Sequence, residues 1–341
     1  MSHSLPMAND DDAEIQRNIS LRHFVFGSVS LRRKVMKYHF IVNKGARSGR
    51  GEAIWNSIKG QVEKMSIQKE VHFTEYRGHG IKIVKKITSV DEECTIVAIG
   101  GDGTVNEVVN GIVDFERVTV AYIPAGSGND FARGLGLTMD PKRALDVIVN
   151  QRPVRRLDLG EVTRAGKTRK FAISTGMGFD AAVAHQVAVS KWKHFFNRIK
   201  LGKLTYVAIA IERLFNDPTM RMEVILDDNE PLVFENTYFA SMMNSPYEGG
   251  GFMFCPEASF EDGYLDVMVA ADMSKLEVLI ALPKSFKGNH VKCRGVHIFR
   301  CKKVTFITEK PAVIHSDGEA LFLRSRAEGR VLPGVLKTIV G

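Results

Sequence analysis

Short apolar, β-branched runs alternate with glycine turns through the first half of the chain. Tyr38-His-Phe-Ile-Val-Asn43 predicts a first strand, Thr95 to Ile99 a strand of the kind buried inside a parallel sheet, and Val118 to Ile123 another. A glycine turn follows each of the last two. Thr104 and Glu107 have capping-box spacing, which predicts a helix starting there, and Asn129-Asp-Phe-Ala-Arg-Gly-Leu135 predicts a second, closed by Gly136. Two strand, loop and helix units in series imply an open α/β sheet. Ligands of such sheets bind beyond the carboxyl ends of the strands, where both glycine turns would lie.

From about Leu157 the pattern changes. Apolar runs at Phe171–Ser174, Met222–Ile225, Tyr238–Met243, Leu265–Ala270, Val296–Phe299 and Val304–Ile307 are separated by Gly, Pro, Asn or Asp turns. That spacing predicts an antiparallel sandwich or curled sheet. The expected fold is α/β plus all-β: residues 1–35 a flexible extension, 36–156 an open α/β nucleotide-binding domain, and 157–324 a β-rich, sandwich-like domain. No repeat or low-complexity tract interrupts this division.

The first glycine turn has the chemistry of a phosphate site. Gly100, Gly101 and Gly103 leave no side chain between backbone and ligand, and a helix N-terminus with free N–H groups attracts an anion. Pro124-Ala-Gly-Ser-Gly128 repeats the device. Asp102, Asp130 and Asp158 are carboxylates that could converge on Mg²⁺, which keeps several waters and takes few protein ligands. Asp130 also reads as a first-turn acid stabilising its own helix. In His315-Ser-Asp-Gly-Glu319 the Asp-Gly pair predicts a sharp bend, which taken alone reads as a solvated turn and alternatively could present Glu319 as a general base, with His315 read as structural ahead of a helper role.

Gly100-Gly-Asp-Gly-Thr-Val-Asn-Glu107, Pro124-Ala-Gly-Ser-Gly-Asn-Asp-Phe-Ala-Arg133 and His315-Ser-Asp-Gly-Glu319 together resemble the three signatures of the diacylglycerol kinase catalytic-domain family, in order and spacing. The resemblance runs from about Tyr38 to about Leu323 and is nearest to the soluble bacterial lipid kinases. It implies a nucleotide domain like that of NAD kinase and diacylglycerol kinase, completed by residues 325–341. It also implies an ATP- and Mg²⁺-dependent kinase of a lipid hydroxyl, with diacylglycerol the first substrate and phosphatidic acid the product. Phosphatidylglycerol, a sphingoid base, NAD, or non-catalytic nucleotide and lipid binding are the alternatives.

By the same resemblance, Gly100, Gly101, Asp102, Gly103, Thr104, Val105, Asn106, Ser127 and Thr74 would contact the nucleotide, and Glu319 with Asp102 would be catalytic. Thr74 alternatively caps the helix that follows it. Ser259, Asp262 and Tyr264 would hold a structural Mg²⁺, although Asp262-Gly263 taken alone is a hairpin turn. One departure stands in Asn43-Lys-Gly-Ala-Arg-Ser-Gly49, where Lys44 replaces a common proline.

Composition narrows the setting. The 341 residues carry a net charge of +8, with 44% hydrophobic residues and 25% charged, which suits a globular protein that favours anionic surfaces. No nucleic-acid-binding motif is present. Cys94, Cys255, Cys293 and Cys301 lack metal–thiolate spacing, and a reducing cytoplasm is the simpler setting. No apolar run is long enough to cross a membrane, and the acidic start reads as no signal peptide. Any membrane contact is therefore expected to be peripheral, with a homodimer left open. Trp192, Phe195, Phe196 and Ile199 predict one apolar helical face among Lys191, Lys193, Arg198 and Lys200, suited to an anionic interface or to the protein's own core.

Overall fold

A computed structural model describes residues 37–90, 93–151, 153–164, 166–178, 214 and 216–341. The expected extension at 1–35 and the basic aromatic helix around Trp192 lie outside the described residues. The described residues form one compact unit.

The amino-terminal part is a parallel sheet with helices on both faces. β1 (Lys37–Val42), β2 (Lys69–Phe73), β3 (Cys94–Gly100) and β4 (Val118–Pro124) pair in the order β2-β1-β3-β4. β3 is buried at every position, as a strand covered on both faces must be. Its alternation divides the core: Ile96 and Ala98 pack with one hydrophobic cluster, Val97 and Ile99 with the other. α1 (Arg50–Lys64) covers the second face through Ile54, Ile58 and Val62, spaced one helical turn apart. α2 (His79–Thr88) and α3 (Asp102–Gly111) cover the first through Val84, Val105, Val108 and Val109. Two short helices follow, α4 (Asp130–Gly134) and α5 (Pro141–Asp146).

Antiparallel strands build the rest. They are β5 (Val154–Arg164), β6 (Lys167–Phe171), β7 (Ser174–Gly178), β8 (Met220–Leu226), β9 (Leu232–Met243), β10 (Leu265–Ala271), β11 (Val296–Cys301), β12 (Lys303–Ser316) and β13 (Glu319–Ile339), with α6 (Lys275–Ser285) after β10. Five of the six apolar runs read from the sequence fall wholly within strands. The run at Phe171–Ser174 instead spans the break between β6 and β7.

One strand joins the two parts. β13 pairs antiparallel with β12 and β5, then lies parallel beside β4 at Lys337↔Thr119 and Thr338↔Val120. Among the described residues all thirteen strands therefore belong to one sheet. β5 crosses residues 156 and 157 without interruption, so the change of character there falls inside a strand. No helix among the described residues is long and apolar enough to cross a membrane.

Candidate active site

The carboxyl ends of β3 and β4 hold the two glycine loops in direct backbone contact. A Cβ on Gly126 would lie 2.5 Å from the Cα of Gly101, and one on Gly101 would lie 3.1 Å from the Cα of Gly126. The Ala125 N–H donates to the Gly100 carbonyl at 2.6 Å. Asn129, at φ +53°, fixes the second loop: its Oδ1 accepts the Gly126 N–H at 2.8 Å and the Tyr122 hydroxyl at 3.0 Å. Ser127 is exposed at the tip of this loop.

The first helix starts earlier than its capping-box spacing predicts. α3 begins at Asp102, with extended Gly101 as its N-cap and no side-chain cap. The Thr104 and Val105 N–H groups return to the Gly101 carbonyl, which leaves Asp102 and Gly103 at the open end of the helix. Thr104 turns its hydroxyl to the Nδ2 of Asn43, at 3.2 Å. The Glu107 side chain makes its hydrogen bonds outside its own helix. Its two carboxylate oxygens accept the N–H groups of Gly78 and Gly80, at 2.7 and 2.8 Å, and so cap α2 from outside. Thr74 is consequently not the cap of α2, whose N-cap is Gly78. Its N–H donates to the Val42 carbonyl, which sets it at the mouth of the β1 and β2 loops. Lys44 reaches over the Phe73 ring nearby, at 4.3 Å from the centroid.

Asp102 and Asp130 come together beneath Gly128. A Cβ on Gly128 would meet Asp102 Oδ2 at 3.1 Å and Asp130 Oδ2 at 3.2 Å, so only glycine leaves that space open. Asp102 Oδ1 accepts the Phe131 N–H at 3.2 Å, and Asp130 Oδ2 accepts the Gly250 N–H at 2.6 Å. Burial pushes both carboxyls above their ordinary range, and for Asp102 the charge of Asp130 adds to it. Arg133 gives partial relief at 3.4 Å from Asp130. A paired, enclosed carboxylate set short of positive charge is a donor set that suits Mg²⁺, so these residues fit that ion.

Asp158 does not join them. Its two oxygens accept the N–H groups of Gly334 and Gly263, each at 2.7 Å, and its acidic neighbours are Asp262 and Glu261. It ties β5 to the turn before β10 and to the bend in β13. These are the carboxylate contacts of Asp158 that the structure shows, and Asp102 and Asp130 are not among them.

Glu319 is delivered by a tight hairpin. Asp317 and Gly318, at φ +47° and +74°, form the two-residue link between β12 and β13. Glu319 Oε1 then lies 3.5 Å from where a Cβ on Gly103 would be. Its Oε2 pairs with Arg169 at 2.8 Å and with the more exposed Arg77 at 3.2 Å. Asp317 locks the hairpin in place. Its carboxylate accepts the N–H groups of Ala172, Ile173 and Ser174 and the Nδ2 of Asn106, at 2.7 to 3.1 Å. His315 is buried against Glu248, Nε2 to Oε1 at 3.0 Å.

Two expected nucleotide contacts turn inward. Val105 is buried in the core beside Val108 and Val109. The fully buried Asn106 bridges Asp317, the Lys170 carbonyl and Arg169, and so ties α3 to the hairpin instead of facing the loop mouth. Asp317, Arg169 and Arg77 are not singled out by the sequence reading, and Glu107 is singled out there for a different partner. Asp317 stands inside a signature motif, but Arg169 and Arg77 carry no local signal, because their partner Glu319 is 150 and 242 positions away.

The segment expected to hold a structural ion is a bend leading into β10, with no strand before it to make a hairpin. Ser259 Oγ accepts the Glu261 N–H at 3.2 Å, and Asp262 Oδ1 accepts the Tyr264 N–H at 3.1 Å. Asp262 Oδ2 faces Arg300 at 3.5 Å.

Comparison with known proteins accounts for this assembly. Residues 37–162 match the model described as diacylglycerol kinase catalytic domain, and residues 173–340 match the YegS C-terminal NAD kinase beta sandwich-like domain. A diacylglycerol kinase of Mycobacterium tuberculosis (strain CDC 1551 / Oshkosh) is 31% identical over 227 residues, 66% of this chain and 70% of that protein. The chain belongs to the diacylglycerol kinase catalytic-domain family. As a member it is a kinase with a hydroxyl acceptor, and the β-rich part is the sandwich-like domain of that family. YtlR of Bacillus subtilis (strain 168) is 28% identical over 83% of this chain and 93% of its own. A solved structure from Bacillus anthracis str. Sterne shares the kinase fold with a TM-score of 0.71 at 22% identity, covering 92% of this chain and 98% of that one.

Proposed function

We propose that this protein is an ATP- and Mg²⁺-dependent lipid kinase that phosphorylates diacylglycerol to phosphatidic acid. The observation that carries the reading is the place of Glu319: the Asp317-Gly318 hairpin sets its carboxylate against Gly103 of the first glycine loop. A carboxylate base beside a glycine loop at a helix N-terminus is what transfer of a phosphoryl group to an alcohol requires.

The open end of α3, with Gly100, Gly101 and Gly103, receives the phosphates, and Thr74, Thr104 and Ser127 border the same mouth. Asp102 and Asp130 would hold Mg²⁺, which when bound would supply charge neutralisation at the phosphates. Glu319 takes the proton of the lipid hydroxyl as that oxygen forms its bond to the γ-phosphorus and the bond to the bridging β,γ-oxygen breaks. Arg169 keeps the carboxylate aimed, and exposed Arg77 turns to the incoming phosphate. The lipid comes from a cytoplasmic membrane face by peripheral contact, favoured by the net charge of +8.

The test is transfer of labelled γ-phosphate to diacylglycerol, phosphatidylglycerol and sphingosine in mixed micelles, with NAD in a parallel reaction, in Mg²⁺ and in EDTA. Label in diacylglycerol, absent in EDTA, is the expected result. Label confined to another lipid overturns the substrate, and label confined to NAD overturns the lipid reading.

A further inference from the structure

A second cluster of ligating side chains lies on the parallel sheet, away from the glycine loops. β1 and β2 pair in register His39↔Glu70 and Ile41↔His72. Glu70 and His72, two positions apart, therefore share the sheet face that carries His39. His39 Nδ1 and His72 Nε2 are 3.2 Å apart, and Glu70 Oε2 lies 3.5 Å from the first and 3.6 Å from the second. One proton between two imidazoles accounts for the shortest side of that triangle. It does not account for a carboxylate oxygen equidistant from both at more than hydrogen-bond range. Tetrahedral ligands at ~2.0–2.1 Å from a zinc ion stand about 3.3–3.4 Å from one another, close to all three separations.

We propose that His39, Glu70 and His72 form a binding site for one divalent transition-metal ion of the zinc class, separate from the Asp102–Asp130 pair. The surroundings suit such an ion. His39 is buried, and burial pushes its pKa down to about 4, so the ring is the neutral form that ligates. Lys37 holds the other oxygen of Glu70, at 2.6 Å, which keeps the carboxylate ionised and turns Oε2 to the histidines. The cluster borders a cavity of about 480 Å³ beneath α2, which leaves a fourth position for water.

The same cavity sets the selectivity. Lys37, Lys82 and Lys86 line it and oppose any cation held by charge alone. A metal that forms strong bonds to imidazole nitrogen overcomes that opposition. Mg²⁺ and Ca²⁺, which bind through oxygen and charge, do not.

The test is equilibrium dialysis of the full chain against Zn²⁺ with metal analysis, and thermal melts with Zn²⁺ or Mg²⁺. His72→Ala and Glu70→Gln are the informative variants because both side chains are partly exposed, whereas His39 is packed in the core. The unaltered chain should bind one more Zn²⁺ equivalent than either variant, and Zn²⁺ should raise its Tm more than theirs. Asp102→Asn should retain that equivalent, and Co²⁺ bound to the unaltered chain should show the absorption bands of tetrahedral nitrogen and oxygen ligation. Equal Zn²⁺ binding by the variants, no binding by the unaltered chain, or a Mg²⁺-induced Tm rise that either variant loses overturns the proposal.

Discussion

Asp102 and Asp130 are held where ionisation is unfavourable. Burial raises both carboxyls above the value near 4 that an unfolded aspartate has, so the folded state binds protons more tightly. Stability is then lost as pH rises above about 4 and stays reduced once both groups ionise. Asp102→Asn should therefore raise Tm in EDTA at neutral pH, with no gain near pH 3, while abolishing most turnover and weakening the Mg²⁺ response. Melts at the two pH values with a Mg²⁺ titration check both halves. Gly126 presents the opposite case: Gly126→Ala drives a methyl into the Cα of Gly101. It should cost about 1–3 kcal/mol in urea unfolding and reduce ATP binding. Asp102 and the glycines were legible because local motif order carries them. The contacts of Asp158 were not, since they are made with N–H groups at Gly263 and Gly334, more than a hundred positions away.

At the scale of elements, α2 and α3 are joined by Glu107, which satisfies two N–H groups at the start of α2. Glu107→Ala should cost about 1–2 kcal/mol in urea unfolding, the worth of a lost helix cap. An unchanged midpoint would mean that water replaces the carboxylate. Thr104-x-x-Glu107 reads in the sequence as a capping box, and the structure shows the limit of that signal: tertiary contact took both side chains elsewhere. Strands were legible because apolar β-branched runs declare themselves. α6 was missed although Ser274 and Glu277 form a genuine capping box at its start. Its Pro283 and the strands on either side of it hid the 3.6-residue period.

For the whole molecule, β13 is the element on which both parts depend. It carries Glu319 at one end and pairs with β4 of the parallel sheet at the other. Removing residues 333–341 should abolish cooperative unfolding and ATP binding together, as read by urea titration and ligand-induced Tm shift. Survival of ATP binding in that truncation would show that the parallel sheet stands without β13. The α/β and β-rich classes were legible from periodicity, but the single continuous sheet was not, because strand neighbours distant in sequence leave no local trace.

The central claim is that a carboxylate brought by the β12–β13 hairpin acts as the base at the glycine loop. It is tested most directly by comparing the unaltered chain with Glu319→Gln in single-turnover transfer from labelled ATP to diacylglycerol micelles, with ATP affinity measured in parallel. A rate at least about a hundredfold lower with ATP affinity little changed is the predicted result. A near-normal rate would contradict it.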